Sequence, residues 1–230
     1  MKNDLTLLYY SSNAMDEDMA DNFRNHLVET VQGAYPIISV TQKPVSLGEN
    51  ICLGDIGQSS YNLYRQQYAG AQQVKTKYVA FAEDDCLYNM EHFSHRPSSD
   101  NVFSYNKNLW FLDKNIFWTK EHLGGFTTVV CNELLLDRLS EVFEKYPVEP
   151  LPRKDQKGFF LEPGTRDEEL GLKKREIEFF STEQPLITLC YWDATHGWPK
   201  RREKNSTVVE ELENWGRADE LRKKLCQKSV

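Results

Sequence analysis

Long hydrophobic runs are missing from this chain of 230 residues. No apolar stretch approaches the ~20 residues that a membrane-spanning helix requires. The short apolar run at residues 5–10 lacks a small-residue cleavage site and is too short for the core of a secretion signal, so the expected location is the cytoplasm. Paired cysteines are missing too. Cys52, Cys86, Cys131, Cys190 and Cys226 are scattered, odd in number and never spaced C-x-x-C, which reads as reduced packing thiols rather than a disulfide framework or a zinc site. Basic charge is short: 28 Lys and Arg stand against 35 Asp and Glu, a net charge of -7. Such a chain is no general binder of polyanions, and any nucleic-acid contact needs a local basic patch. Internal repeats and low-complexity tracts are absent from the sequence.

What is present is a globular composition, 40% hydrophobic and 12% aromatic, at a length that suits one large α/β domain. Residues 5–10 read as a first strand, and Ser11, Ser12 and Asn13 as the loop after it. Met19, Phe23, Leu27 and Val28 form a helical stripe within 16–31, and 37–40 is a second strand. Strand, helix and strand in that order imply a βαβ unit and a parallel sheet. Residues 42–57 read as irregular, and 59–73 as a helix capped by Ser59 or Ser60. Two or three strands with tight turns are expected in 102–118, and another at 127–131. A helix capped by Asn132 should follow, with Leu135, Leu136, Leu139, Val142 and Phe143 on its apolar face. Residues 147–157 read as a loop. Thr165 and Glu168 have the spacing of a helix capping box, 176–180 and 185–191 read as strands, and 206–230 as a charged helical tail. His92 and His95 are read as loop residues, because no third metal ligand lies near them in sequence.

The chemistry concentrates at residues 78–85. Tyr78 to Ala82 is an unbroken apolar run the length of one buried strand, and it ends in Glu83, Asp84 and Asp85. Adjacent carboxylates repel one another unless something positive sits beside them, and hard oxygen ligands suit Mg²⁺ or Mn²⁺. An apolar strand followed by an acid-x-acid triplet resembles the D-x-D region of GT-A-fold, family-two-like glycosyltransferases, although the first acid here is Glu. The motif order of residues 5–202 extends the resemblance. Arg166 and Asp167 stand where the family has an acid pair, 185–191 is a proline-led strand, and His196 stands where the family has a histidine.

The resemblance implies a GT-A-like, Rossmann-type mixed and mostly parallel sheet with flanking helices. It implies a transferase domain at 1–205, with a nucleotide-binding half at about 1–90 and an acceptor half at about 91–205. A divalent metal, Mn²⁺ or Mg²⁺, would be held by Asp85 and His196. The nucleotide-diphosphate sugar donor, a UDP-sugar by preference, would meet Tyr10, Ser11, Ser12, Asn13, Ser60, Asn62, Arg65, Glu83, Asp84, Gly124, Gly125, Lys200 and Arg201. Asp167 is the implied base of an inverting transfer, with Glu168 as its rival. Lys154, Lys157, Trp198 and Arg202 are expected on the acceptor side. Basic groups at 153–157, 173–175 and 200–204 admit a polyanionic soluble acceptor, for instance DNA with a hydroxymethylated pyrimidine, as some phage enzymes modify. A glycan or protein hydroxyl is the alternative acceptor, and a nucleotide-sugar-binding module without catalysis is the non-enzyme alternative. A sugar-phosphate nucleotidylyltransferase would carry a glycine-rich loop after the first strand, where Ser11, Ser12 and Asn13 stand instead.

Overall fold

The computed structural model describes residues 4–121, 123–148, 162–189 and 205–227. In chain order the first half consists of β1 (Leu5–Ser11), α1 (Glu17–Val31), β2 (Ile37–Thr41), β3 (Glu49–Cys52), α2 (Ser60–Ala71), β4 (Tyr78–Glu83), β5 (Cys86–Leu87) and α3 (Met90–Ser94). Then come β6 (Val102–Asn106), β7 (Leu109–Asp113), β8 (Ile116–Thr119), a single 3₁₀ turn (Gly125–Thr127), β9 (Thr128–Cys131) and α4 (Asn132–Lys145). The chain continues with β10 (Glu176–Phe180), β11 (Leu186–Leu189), β12 (Thr207–Val209), β13 (Glu211–Leu212), β14 (Gly216–Arg217) and α5 (Ala218–Leu225).

Among the described residues the main sheet has seven strands in the order β10-β6-β9-β4-β1-β2-β3. Only β9 runs against its neighbours; the other pairings are parallel. This is the mixed, mostly parallel sheet with flanking helices that the sequence implies. β1 is buried along its whole length, as a central strand covered on both faces must be. Its alternation sends Leu7 and Tyr9 to one side, against Leu27 and Val31 of α1 and Phe111 and Leu186 of a second sheet. Leu8 and Tyr10 face the other side, with Tyr64 of α2 and Leu135 and Leu139 of α4. The second sheet, β12-β8-β7-β11-β5, encloses a smaller core with α1 and α5. α2 rides close to the main sheet because Gly70 has no side chain; a Cβ there would collide with Leu8 and Val40.

Several local expectations change in three dimensions. Asp16 and Ser59 do cap α1 and α2, accepting from Met19 N at 3.3 Å and Asn62 N at 3.1 Å. Asn132 does not cap α4: its amide donates to Ala71 O at 3.1 Å, tying α4 to α2, and Cys131 holds the cap position. The Thr165–Glu168 box opens no helix, because residues 163–171 form successive turns in which the Thr165 hydroxyl bonds Glu162 O at 2.7 Å. Residues 42–57 contain β3, an edge strand recruited by pairing with β2. His92 lies in α3 and is fully buried against Tyr88, Phe93 and Phe180. The tail is not a continuous helix. Val208 pairs with Trp118 in β12, Leu212 lies in the β13–β14 hairpin, and Trp215 donates to Pro185 O at 2.9 Å.

Candidate active site

The acids stand at the carboxyl end of β4, in the middle of the main sheet. Parallel pairing places Tyr10 beside Glu83, so Ser11 lies at the height of Asp84, and the Ser11 hydroxyl donates to Asp84 Oδ2. Burial, together with the neighbouring charge of Asp85, pushes the Asp84 carboxyl up to about 6, against the pull of the Ser11 hydroxyl. Glu83, Asp85 and Cys86 present ligand atoms within 4.8 Å of one another. The Cys86 thiol donates to Asp85 Oδ1 at 3.1 Å, and burial and the adjacent acids hold its pKa well above the ordinary value. Cys86 therefore stays a neutral donor, which leaves the Glu83 and Asp85 carboxylates as the hard ligands; such a pair fits Mg²⁺ or Mn²⁺. Leu189 N donates to Asp85 O at 2.8 Å, so β11 ends against the acid turn. His196, the other expected metal ligand, lies outside the described residues, in the stretch that follows β11.

The loops around this edge are bound to one another. Asn13, in left-handed backbone at φ 54, accepts from Gln42 N at 2.8 Å and Lys43 N at 2.9 Å. The Gln42 side chain donates to Gly57 O at 2.8 Å and accepts from Ile56 N at 3.0 Å. Gln66 donates to Ser11 O at 2.7 Å and Val40 O at 2.9 Å, so α2 pins the ends of β1 and β2. Ser12 and Ser60 are half-buried. Tyr10 packs edge-on against Phe81 inside the core. Asn62 is buried and its amide donates to Ile56 O and Gly57 O, so it shapes the loop. Arg65 is exposed and lines a cavity of about 310 Å³ with Tyr61, Tyr68 and Phe143, none of which belongs to the acid edge.

Gly124 and Gly125 lead into the 3₁₀ turn beside the acids. Tyr88 makes the connection: its hydroxyl accepts from Glu83 N at 3.0 Å and donates to Phe126 O at 3.3 Å. A Cβ on Gly124 would strike the Phe126 ring, whereas one on Gly125 would meet nothing within 4 Å.

Asp167 departs from its expected place. It is 2% exposed, with Oδ1 accepting from Arg138 Nε at 2.8 Å and Oδ2 lying 3.4 Å from Arg175. A base must face its acceptor, and both oxygens of this carboxylate face guanidinium groups. Asp167 acts here as the counter-ion that fastens the turn to α4. Glu168 is exposed. Arg175 is likewise internal, bonded to Asp137 and Glu141 at 2.7 Å each, which removes it from any basic acceptor patch. Lys154, Lys157, Trp198, Lys200, Arg201 and Arg202 lie outside the described residues. Sequence reading missed Tyr88, Gln42, Gln66 and Arg138. Only Arg138 carried a signal, as a charge inside the apolar stripe of Leu135, Leu139 and Val142.

No family model matches this chain, and no curated protein does. Among solved structures it is similar to a glycosyltransferase involved in the glycosylation of the major capsid of PBCV-1, at 11% identity and a TM-score of 0.44, over 81% of this chain and 92% of that one. It is similar to S. aureus TarS 1-349 in complex with UDP at 11% identity and a TM-score of 0.45, over 80% of this chain and 60% of that one. It is also similar to the bifunctional IspDF from Campylobacter jejuni, at 11% identity and a TM-score of 0.45, over 78% of this chain and 50% of that one.

Proposed function

We propose that this chain transfers a sugar from a nucleotide-diphosphate sugar, a UDP-sugar by preference, to an acceptor hydroxyl, with inversion at the anomeric carbon. The observation that carries the reading is the placement of Glu83, Asp84 and Asp85 at the carboxyl end of β4, flanked by the Ser11–Asn13 loop and the Gly125 turn. Open α/β sheets bind ligands at that edge. Glu83 and Asp85, with His196, would hold Mn²⁺ or Mg²⁺, which when bound supplies neutralising charge to the leaving diphosphate. Asp84, tethered by Ser11, fixes the height of the acid turn. The Asn13–Gln42–Gly57 network keeps the surrounding loops in one shape for the nucleoside. The bare Gly125 backbone leaves room for the sugar to approach, and Lys200 and Arg201 add charge-assisted bonds to phosphate oxygens.

The acceptor reading is a soluble hydroxyl compound held with the help of Lys154, Lys157, Trp198 and Arg202. DNA bearing a hydroxymethylated pyrimidine is its polyanionic case; a glycan or protein hydroxyl is the other. Among the described residues, no helix is long and apolar enough to cross a membrane.

The test is a thermal-shift panel of nucleotide sugars with and without Mn²⁺, followed by assay of nucleoside diphosphate release. Binding that stabilises only with metal, and release that needs it, are expected. Asp85→Ala should lose both and stay folded. Release undiminished in excess chelator would overturn the metal assignment, and binding without release or transfer would leave a binding module. Binding to hydroxymethylated duplex should weaken steeply with salt if DNA is the acceptor; no binding at low salt removes that acceptor.

A further inference from the structure

We infer that Glu162 is the group that takes the proton from the acceptor hydroxyl. The inference rests on the glycosyltransferase reading and fills the place left by Asp167. The Tyr105 hydroxyl, near the carboxyl end of β6, donates to Pro163 O. The next residue, Gly164, lies against Phe103 and Ile177 at φ +84, where a side chain would collide with Ile177 and crowd Phe103. Glu162 and Thr165 close a turn whose corner rests on these side chains, and Glu162 neighbours Tyr105 and also Tyr64, in the second turn of α2, which starts at the carboxyl end of the strands; Glu162 therefore stands toward the carboxyl edge of the sheet. That is the edge where β4 ends in Glu83, Asp84 and Asp85. Between β6 and β4 lies β9, which begins directly after the 3₁₀ turn at Gly125. Glu162 and the acid triplet therefore flank the glycine turn from opposite sides, two strand spacings or roughly 10 Å apart across the sheet. A donor with its diphosphate at the acids and its sugar over Gly125 would present the face of its anomeric carbon away from the diphosphate toward Glu162.

The residue is held for such a task. Its carbonyl accepts from Thr165 N at 3.0 Å and from the Thr165 hydroxyl at 2.7 Å, and its side chain is half-buried. Among the described residues it makes no ion pair, in contrast to Asp167. The charged and titratable groups around it are Arg166 in its own turn, Tyr64 of α2, Tyr105 of β6, and beyond Tyr64 the Arg138–Asp167 pair. Burial pushes its carboxyl up to about 7, with Arg166 opposing. A base with a pKa near the working pH is both ionised and basic enough to accept a proton. In the step, Glu162 takes the hydroxyl proton as the acceptor oxygen bonds to the anomeric carbon. The bond from that carbon to the diphosphate oxygen breaks with its electron pair, and Glu162 then returns the proton to solvent.

The experiment compares wild type with Glu162→Gln on a panel of UDP-glucose, UDP-galactose and UDP-N-acetylglucosamine with Mn²⁺, water serving as acceptor. Expected are an unchanged donor-induced shift in melting temperature and a fall in UDP release of at least ~10²-fold. The wild-type rate should rise with pH through about 7, and that limb should vanish in the residual activity of the variant. Release within threefold of wild type would overturn the inference. So would loss of the donor-induced shift, which would make Glu162 a binding residue, or a wild type that binds donor yet releases no UDP. A wild type that binds none of these donors would instead bring down the glycosyltransferase reading, and the inference with it.

Discussion

Asp167 is buried and the acids at the end of β4 are half-buried, but the larger difference lies in their surroundings. Around Asp167 the charge is balanced: Arg138 and Arg175 bond its two oxygens, and Asp137 and Glu141 complete the set around Arg175. At the end of β4, Asp84 has a serine hydroxyl for a partner and another carboxylate for a neighbour, and burial together with that neighbouring charge raises its pKa against the pull of the serine. A buried acid matched by guanidinium groups is a strut. Acids crowded together at a strand end leave an arrangement that an added cation would relieve. The sequence displays both as acids near turns, and only the partners tell them apart.

Breaking the strut should have the largest effect. Arg138→Met leaves a buried carboxylate with a single, longer-range partner and should cost about 3 kcal/mol or more in urea unfolding. Adding Asp167→Leu should recover much of that loss, since the unpaired charge goes with it; a double variant less stable than the single would contradict the strut. Relieving the crowded edge should act in the opposite direction. The folded state holds the Asp84 proton more tightly than the unfolded chain, so stability falls as pH rises from 3.8 through about 6 and stays lower above it. Asp84→Asn should flatten that fall and stabilise the protein at pH 7 by at most about 3 kcal/mol, read from melts at pH 4 and pH 7. Unchanged pH dependence would mean that Asp84 is not strained. Ser59→Ala removes a cap that bonds no member of either cluster and should cost ~1 kcal/mol in urea unfolding. Smallest in stability is Gly125→Val, expected to lie within about 0.5 kcal/mol of wild type because nothing stands near its Cβ. Its donor-induced melting shift should nevertheless shrink, and an unaltered shift would take the sugar away from the glycine turn.

Much of the fold was legible because local periodicity and burial agree. The apolar run from Tyr78 to Ala82 became a fully covered central strand, and the stripe of α1 met the sheet with Phe23 and Leu27. Signals that compete with tertiary contacts were not legible. Thr165 and Glu168 have the spacing of a cap, but Gly164 and Gly171 adopt positive φ and Asp167 is drawn onto Arg138, so turns form where a helix start was read. Asn132 has a capping side chain that found the end of α2 instead. At the site, the acid triplet stood out by composition, whereas Tyr88 did not. Its bridge from Glu83 to Phe126 joins residues 83 and 126, and nothing in the local pattern announces that pairing.

Taken by itself, the sequence determined the parallel βαβ framework and the position of the acids at a strand end, because both follow from short-range order: alternation, helical spacing, and charge placed directly after an apolar run. Tertiary structure alone decided which acid is neutralised. A carboxylate's role depends on the groups within a few ångströms of it, and for Asp167 those come from α4 and from Arg175, brought together only when α4 packs on the sheet beside the turn at 163–171.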